Sequence, residues 1–135
     1  MGQKIGLDTV VFIYLLEDKG AFGKRAERLL KTVEQGKAEA VFSSIGIVEI
    51  FTGPKKLGRY DLVVQYKELL ARFPHLVIAG INERIVDLAS DLRAQYDIAT
   101  PDAIHIATAL EFGAEKFFTN DKTLRKIKEI SVDLL

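Results

Sequence analysis

Short apolar runs alternate with longer amphipathic segments along the whole chain. The runs 4–7, 40–43, 76–79 and 116–119 have the length and composition of buried strands, and 131–133 is a candidate fifth strand. Strands that alternate with helices imply right-handed crossovers and a mainly parallel sheet covered on both faces. The predicted fold is therefore an α/β protein, a three-layer α/β/α sandwich with about five strands in its central sheet.

In the segments between these runs, apolar residues recur at helical spacing, which predicts seven helices. Ser44, Asn82 and Thr100 are placed to cap three of them. The segment 52–59 is expected to be a loop because of its glycines and proline. The predicted helices span residues 10–17, 23–35, 45–51, 61–72, 83–96, 100–112 and 122–128.

Composition excludes several classes of protein. The 135 residues are the size of one domain, so we expect a single domain over residues 1–135. The chain has no cysteine, which excludes disulfides, thiol nucleophiles and cysteine-ligated zinc sites. Its 19 basic and 19 acidic residues cancel, unlike the strong basic excess of a general nucleic-acid coat. Because no apolar run approaches the roughly 20 residues of a membrane span and no signal peptide is recognisable, we expect a cytoplasmic protein.

Four carboxylates follow predicted strands or begin the helices after them. Asp8 and Asp121 directly follow the first and fourth strands, Glu49 lies on the helix after the second, and Asp102 lies in the first turn of the Thr100 helix. Ligands of parallel sheets bind beyond the carboxyl ends of the strands, so these side chains are expected to converge. Clustered carboxylates repel unless protons or cations intervene, and hard oxygen ligands suit Mg²⁺ or Mn²⁺.

Each acid also has a structural interpretation. Asp8 and Asp121 could cap the helices that follow them. Asp102 could complement a helix dipole, an effect worth about 0.3–1 kcal/mol. Glu49 has the weakest structural reason, because its neighbours are apolar. Four acids at one sheet edge nevertheless favour a metal site.

Four segments together resemble the PIN-domain nucleases, and within them the VapC-type toxins of toxin–antitoxin pairs. These segments are Ile5–Thr9, Ser43–Ile50, Thr100–Leu110 and Phe118–Asp121, and the resemblance spans essentially the whole chain. It implies a parallel five-stranded sheet. It also implies that the four acids are catalytic, metal-binding residues with Mg²⁺ or Mn²⁺ as cofactor, and that three neighbours orient them: Thr9, Thr119 and Asn120. Some members of the family carry a further acid just after the position of Asp121, whereas this chain has Lys122, which leaves occupancy by a second metal open.

The resemblance further implies metal-assisted hydrolysis of RNA that leaves 5′-phosphate and 3′-hydroxyl ends. The implied partners are an RNA substrate, single-stranded or structured, a cognate antitoxin and a second copy of the chain. A two-fold interface is expected on an exposed helix face that includes Leu62, Tyr66 and Leu69. Two alternatives stay open, namely a housekeeping RNA-processing nuclease and a non-catalytic PIN-like interaction module. Phosphotransfer domains are disfavoured because Val10 stands where a dehalogenase-type phosphatase needs a second Asp.

Several other polar residues are candidates for lesser roles. Arg93, Lys55, Lys56 and Arg59 are possible substrate-binding residues, since Arg and Lys commonly contact phosphates. Each could equally be a solvated surface residue. His105 lies one turn after Asp102 on an otherwise apolar helix, which favours a hydrogen-bonded packing role over contact with metal or substrate.

Overall fold

Five parallel strands form the centre of the protein. The computed structural model describes residues 2–135, and the order of the strands in the sheet is β3-β2-β1-β4-β5, with every pairing parallel. The predicted α/β fold and its fifth strand are confirmed. The order of the strands reverses direction between β1 and β4, the position at which such sheets form a binding crevice. The strands are β1 (Gln3–Leu7), β2 (Ala38–Ser43), β3 (Leu76–Ala79), β4 (Lys116–Thr119) and β5 (Ser131–Leu134).

Helices cover both faces of the sheet. Ile5 and Leu7 of β1 belong to an apolar core shared with α1 to α4, whereas Phe117 of β4 belongs to a second core shared with α5 and α6. A Cβ at Gly6 would lie 2.4 Å from Cβ of Ala109, so α6 packs directly on β1. The two cores make three layers, as predicted. The helices of the described residues are α1 (Thr9–Glu17), α2 (Ala21–Glu34), α3 (Ser44–Lys56), α4 (Tyr60–Arg72), α5 (Glu83–Tyr96), α6 (Thr100–Glu111) and a short 3₁₀ helix (Lys122–Lys126).

Helix α3 is longer than the sequence pattern predicted. The expected loop over residues 52–59 is wrong for residues 52–56, which continue the helix. Ile50 and Pro54 lie four residues apart and are both buried on one face of α3. Burial of this apolar stripe stabilises a turn that glycine and proline would disfavour on their own. Glu49 therefore lies in the middle of a stable helix and not near its end.

Two predicted caps are displaced by one residue. Ser43, and not Ser44, caps α3, because its Oγ accepts a hydrogen bond from the Ile45 N–H. Ala99, and not Thr100, stands at the N-cap of α6, which has no side-chain cap, while Pro101 occupies the first turn as expected. The predicted helix 122–128 is a shorter 3₁₀ helix that ends at residue 126.

The predicted interface on α4 is wrong. Leu62 and Tyr66 are buried in the core beneath the helix, and Leu69 is partly buried against it. The period of α4 was identified correctly, but this apolar face packs into the shared core beside α3 and leaves Val64 exposed on the outer side. None of the described helices is long and apolar enough to cross a membrane.

Candidate functional site at the carboxyl ends of β1 and β4

Asp8 and Asp121 follow the two strands that flank the reversal in strand order. Oδ2 of Asp8 accepts a hydrogen bond of 2.7 Å from Oγ1 of Thr119, and Oδ1 accepts one of 2.7 Å from the Thr9 N–H. The same Thr119 hydroxyl accepts a hydrogen bond of 3.1 Å from the Asp121 N–H. Thr119, which is almost fully buried, thus connects the two acids. Both acids also cap the helices that follow them, so the structural interpretation of each is correct as well.

Glu49 reaches this edge from α3. Its Oε1 accepts a hydrogen bond of 2.7 Å from Oγ1 of Thr9 and lies 2.7 Å from Nε2 of His105. The His105 hydrogen bond, with a smaller contribution from Thr9, lowers the pKa of Glu49 below its ordinary value, although partial burial acts in the opposite direction. Glu49 is therefore held as a carboxylate by groups from α1 and α6.

His105 lies between two of the acids. Its side chain is almost fully buried and stacks on the ring of Phe42, with a centroid distance of 5.8 Å. Its Nε2 is 3.9 Å from Oδ1 of Asp8 and 2.7 Å from Oε1 of Glu49. The sequence favoured a hydrogen-bonded packing role, and the structure adds that the packed ring contacts the acid cluster directly.

Asp102 stands half-buried in the first turn of α6. Burial raises the pKa of Asp102, and the negative charges of Asp8, Asp121 and Glu49 raise it further, in that order. The proximity of His105 acts in the opposite direction and lowers it. The three other acids therefore all act on Asp102 electrostatically, so the tertiary structure brings all four carboxylates to one edge of the sheet.

The donor set suits a hard divalent cation. It consists of carboxylate and hydroxyl oxygens, with one imidazole already bonded to Glu49. Among residues 2–135, no group of three acids or histidines is already arranged around a single ion position. The pKa of Asp102 is raised first by burial and then by the charges of the other acids, and a bound cation would lower it again. The chemistry of these residues fits Mg²⁺ or Mn²⁺.

The remaining predicted residues lie at varying distances from this cluster. The side chain of Asn120 donates to Tyr14 Oη over 2.9 Å and to none of the acids. Nε of Arg93 donates to the Ile98 carbonyl over 2.9 Å, which braces the loop before α6. Arg59 forms an exposed ion pair with Asp61, while Lys55 and Lys56 lie exposed in the last turn of α3.

Two cavities flank the acids. One, of about 270 Å³, is lined by Asp8 and Asp121 together with Tyr14 and Asn120. The other, of about 220 Å³, is lined by Glu49 and Arg59 with apolar side chains of α1, α3 and α4. Asn120 and Arg59 therefore stand beside the acids without touching them.

Sequence reasoning missed Tyr14 and Glu17, which line these cavities from α1. The two residues lie three positions apart, on a side of α1 that does not face the same way as Asp8. Helical spacing does not mark Tyr14, because a residue six positions after Asp8 lies about 120° around the helix from it. Nothing in the sequence marks Glu17, whose Oε2 accepts a hydrogen bond from the Tyr66 hydroxyl on the distant α4.

The chain is similar to a known protein family and to several solved structures. The sequence profile of the PIN domain matches residues 5–130. VapBC2 from Rickettsia felis, solved bound to a DNA fragment from its promoter, matches this chain with a TM-score of 0.77 and 18% identity. The match covers 98% of this chain and 99% of that chain. A toxin–antitoxin complex from Klebsiella pneumoniae matches with a TM-score of 0.72 and 24% identity, over 96% and 95% of the two chains. No curated protein gives a significant match.

A third structure carries a functional description. VapC20 of Mycobacterium tuberculosis, described as a sarcin–ricin loop cleaving toxin, matches with a TM-score of 0.72 and 15% identity over 93% of this chain and 98% of that one. At these identities the solved structures establish a shared fold. The profile match includes the positions of all four acids and four of the five strands, with the first two residues of β1 outside it. The chain therefore belongs to the PIN domain family, and its fold is that of the VapC toxins.

Proposed function

We propose that this protein is a metal-dependent endoribonuclease and the toxin of a toxin–antitoxin pair. The observation that carries the proposal is the convergence of Asp8, Glu49, Asp102 and Asp121 at the reversal of the sheet, in a chain of the PIN domain family. A helix-capping role alone would explain the positions of Asp8 and Asp121. It does not explain why the hydroxyl of Thr9 and the ring of His105 hold Glu49 at the same place.

The four carboxylates are proposed to hold Mg²⁺ or Mn²⁺. When bound, a divalent cation supplies the charge that lowers the pKa of water and offsets the charge that develops on a phosphodiester. Thr119 orients Asp8 through one oxygen, and Thr9 orients Glu49 in the same way. The Oε2 atom of Glu49 is thereby left available to a cation, whereas Oδ1 of Asp8 also accepts from the Thr9 N–H and has only its remaining lone pair to offer. No covalent intermediate is required.

RNA is the proposed substrate, and the description of VapC20 as a toxin that cleaves the sarcin–ricin loop supports this choice. The two cavities beside the acids provide room for the nucleotides that flank a cleaved phosphate. Arg59 lines one of them and is the best placed of the predicted substrate-binding residues. Lys55 and Lys56 remain proposed contacts to the RNA backbone at the end of α3, whereas the bond of Arg93 to Ile98 favours a structural role.

An antitoxin is the proposed protein partner. Several of the matched structures are toxin–antitoxin complexes, which supports this assignment. A cationic side chain from such a partner could occupy the carboxylate cluster and compete with the metal. We also propose that residues 1–135 act as a single nuclease domain, that the protein works in the cytoplasm, and that two copies associate.

An assay of the purified protein tests the chemistry. Single-stranded and structured RNAs should be cleaved with Mg²⁺ or Mn²⁺, cleavage should stop with chelator, and the products should carry 5′-phosphates. Asp8→Asn is the matched inactive control, since asparagine can retain the cap of α1 through its single amide oxygen, while the charge and the acceptor for Thr119 are removed. Products with 2′,3′-cyclic phosphates would contradict metal-assisted hydrolysis, because they require attack by the ribose 2′-hydroxyl.

A growth assay tests the biological role. Expression of the wild-type protein alone should slow growth, Asp8→Asn should not, and co-expression of the small protein encoded beside it should restore growth. Equal growth with wild type and Asp8→Asn, with no neighbouring protein that binds, would favour a dedicated RNA-processing nuclease instead.

A further inference from the structure

We propose that His105 is a positioning residue that fixes the Glu49 carboxylate for metal binding. The inference rests on the proposed metal site and assigns a new function to a residue that the four-acid interpretation does not use. His105 and Thr9 both bond to Oε1 of Glu49, whereas Oε2 accepts no hydrogen bond from residues 2–135. The carboxylate is thus divided into one oxygen held by the protein and one left for a ligand.

Glu49 needs such support more than Asp8 and Asp121 do. Asp8 and Asp121 are fixed by backbone N–H groups of the helices that they cap. Glu49 instead projects from the middle of α3, and 39% of its side chain is exposed. A glutamate has one more rotatable bond than an aspartate, so more conformational freedom must be lost when it binds an ion. Side chains from other elements must therefore hold it.

The hydrogen bonds define which nitrogen of His105 carries the proton. The Thr9 hydroxyl has one proton and donates it to Glu49. The Thr9 hydroxyl oxygen therefore acts only as an acceptor in its 3.1 Å contact with Nε2 of His105. Nε2 of His105 must therefore carry a proton and donate to Oε1 of Glu49. Nδ1 is buried without a partner, and a proton on it would be a buried donor without an acceptor, so the contacts favour the tautomer with the proton on Nε2.

Packing holds the ring in the orientation that this bond requires. The ring of Phe42 stacks against His105 at an interplanar angle of 20°. A Cβ at Gly46 would lie 2.2 Å from Cζ of Phe42 and 2.9 Å from Cε1 of His105. Gly46, one turn before Glu49, therefore permits α3 to approach the ring closely. The orientation of His105 is thus defined by β2 and α3, while its Cα is held by α6.

The expected consequence is a loss of metal affinity without the hydrogen bond. Outer partners that orient a ligand typically contribute 10- to 100-fold to affinity or activity. His105→Leu removes the donor and retains a buried apolar side chain. His105→Gln replaces it with a side-chain amide whose nitrogen can occupy nearly the position of Nε2. Thr108→Val is the matched control, because it removes a different buried polar group of α6. The Thr108 hydroxyl donates to the Ile104 carbonyl and to none of the acids.

Calorimetric titration with Mn²⁺ tests the proposal on the purified proteins, with melting temperatures recorded in parallel. We expect His105→Leu to bind Mn²⁺ about 10- to 100-fold more weakly than wild type. His105→Gln should recover most of this loss, and Thr108→Val should bind as wild type does. Unchanged affinity in His105→Leu, no recovery in His105→Gln, or an equal loss in Thr108→Val would overturn the positioning role. Absence of Mn²⁺ binding by wild type would overturn the metal site itself, which separates the two failures.

A measurement on the wild-type protein keeps the proposal testable if His105→Leu does not fold. Long-range ¹H–¹⁵N NMR spectra in mildly alkaline buffer report which imidazole nitrogen carries the proton. His105 should be protonated on Nε2, and a proton on Nδ1 would overturn the proposal. His75 provides the internal reference, because its Nδ1 lies 3.0 Å from the Val33 carbonyl and must donate to it, which gives the opposite tautomer.

Discussion

Thr119 donates a hydrogen bond of 2.7 Å to Asp8, although the two residues lie 111 positions apart in the chain. The bond joins the carboxyl ends of β1 and β4, the adjacent strands between which the strand order reverses. The same hydroxyl oxygen accepts from the Asp121 N–H, so one buried side chain orients two acids. The first prediction concerns this hydroxyl.

Thr119→Val should lower both stability and metal affinity. The substitution keeps the shape of the side chain, removes the donor to Asp8 and leaves the Asp121 N–H without its acceptor. Loss of a partner at a buried polar group costs about 1–3 kcal/mol. Urea unfolding and Mn²⁺ calorimetry measure the two effects. Thr119→Ser, which retains the hydroxyl, should recover most of both, and equal behaviour of the Val and Ser variants would contradict the role of the bond.

Asp102→Asn should stabilise the metal-free protein near neutral pH. Burial and the charges of Asp8, Asp121 and Glu49 raise the pKa of Asp102 above its ordinary 3.8, so the charged form is disfavoured in the folded state. Wild type should therefore lose stability as the pH rises through this raised pKa and regain it as the pH falls toward 3.8. Chemical unfolding across that range, with the asparagine variant as reference, measures the effect. A variant less stable than wild type at neutral pH would support a purely structural Asp102.

Glu49→Gln should show the opposite dependence on pH. The hydrogen bond from His105 lowers the pKa of Glu49 below its ordinary 4.5, so the carboxylate is favoured in the folded state. Its contribution to stability should be present above pH 4.5 and be lost as the pH falls through the lowered pKa. The difference in unfolding free energy between wild type and Glu49→Gln should therefore shrink on acidification. A difference that stays constant across this range would mean that the carboxylate charge contributes nothing.

Two glycines of α3 should respond to alanine to different extents, with the larger loss of stability at Gly46. At Gly46, a Cβ would lie 2.2 Å from Phe42 and 2.9 Å from His105, and overpacking of this kind costs about 1–3 kcal/mol. At Gly53, a Cβ would meet nothing within 4 Å apart from its chain neighbours, and the only expected cost comes from Pro54, which disfavours a helical residue with a Cβ directly before it. Thermal unfolding compares the two variants. Equal changes in melting temperature for the two variants would show that helix propensity alone determines the effect of alanine, and that the close approach of Gly46 to His105 contributes nothing.

Divalent metal should stabilise the folded protein through the acids. A ligand that binds only the folded state adds about 2.7 kcal/mol when its free concentration is 100 times its dissociation constant. The wild-type protein should gain this stabilisation when Mn²⁺ is added and lose it when a chelator is added. Urea unfolding measures both changes. Asp121→Asn should retain its cap on the 3₁₀ helix and lose most of the metal effect. An equal gain in this variant would place the ion elsewhere.

The sequence by itself determined the order and type of the elements and the positions of the acids in that order. Short apolar runs and period-3.6 patterns follow directly from the geometry of buried strands and amphipathic helices, and the acids directly after β1 and β4 needed only the parallel-sheet rule. The resemblance to PIN nucleases was also recognisable from four short segments. These properties depend on neighbours along the chain, which a sequence displays.

Tertiary structure decided the length of α3, the surface of α4 and the environment of His105. Burial of Pro54 extended a helix that local propensity would end at residue 51, and burial of Tyr66 removed an apparent interface. The bond between His105 and Glu49 joins residues 56 positions apart, and it depends on how closely α3 approaches α6 at Gly46. Such distances depend on the packing of side-chain volumes between elements, and no local pattern in the sequence encodes that packing.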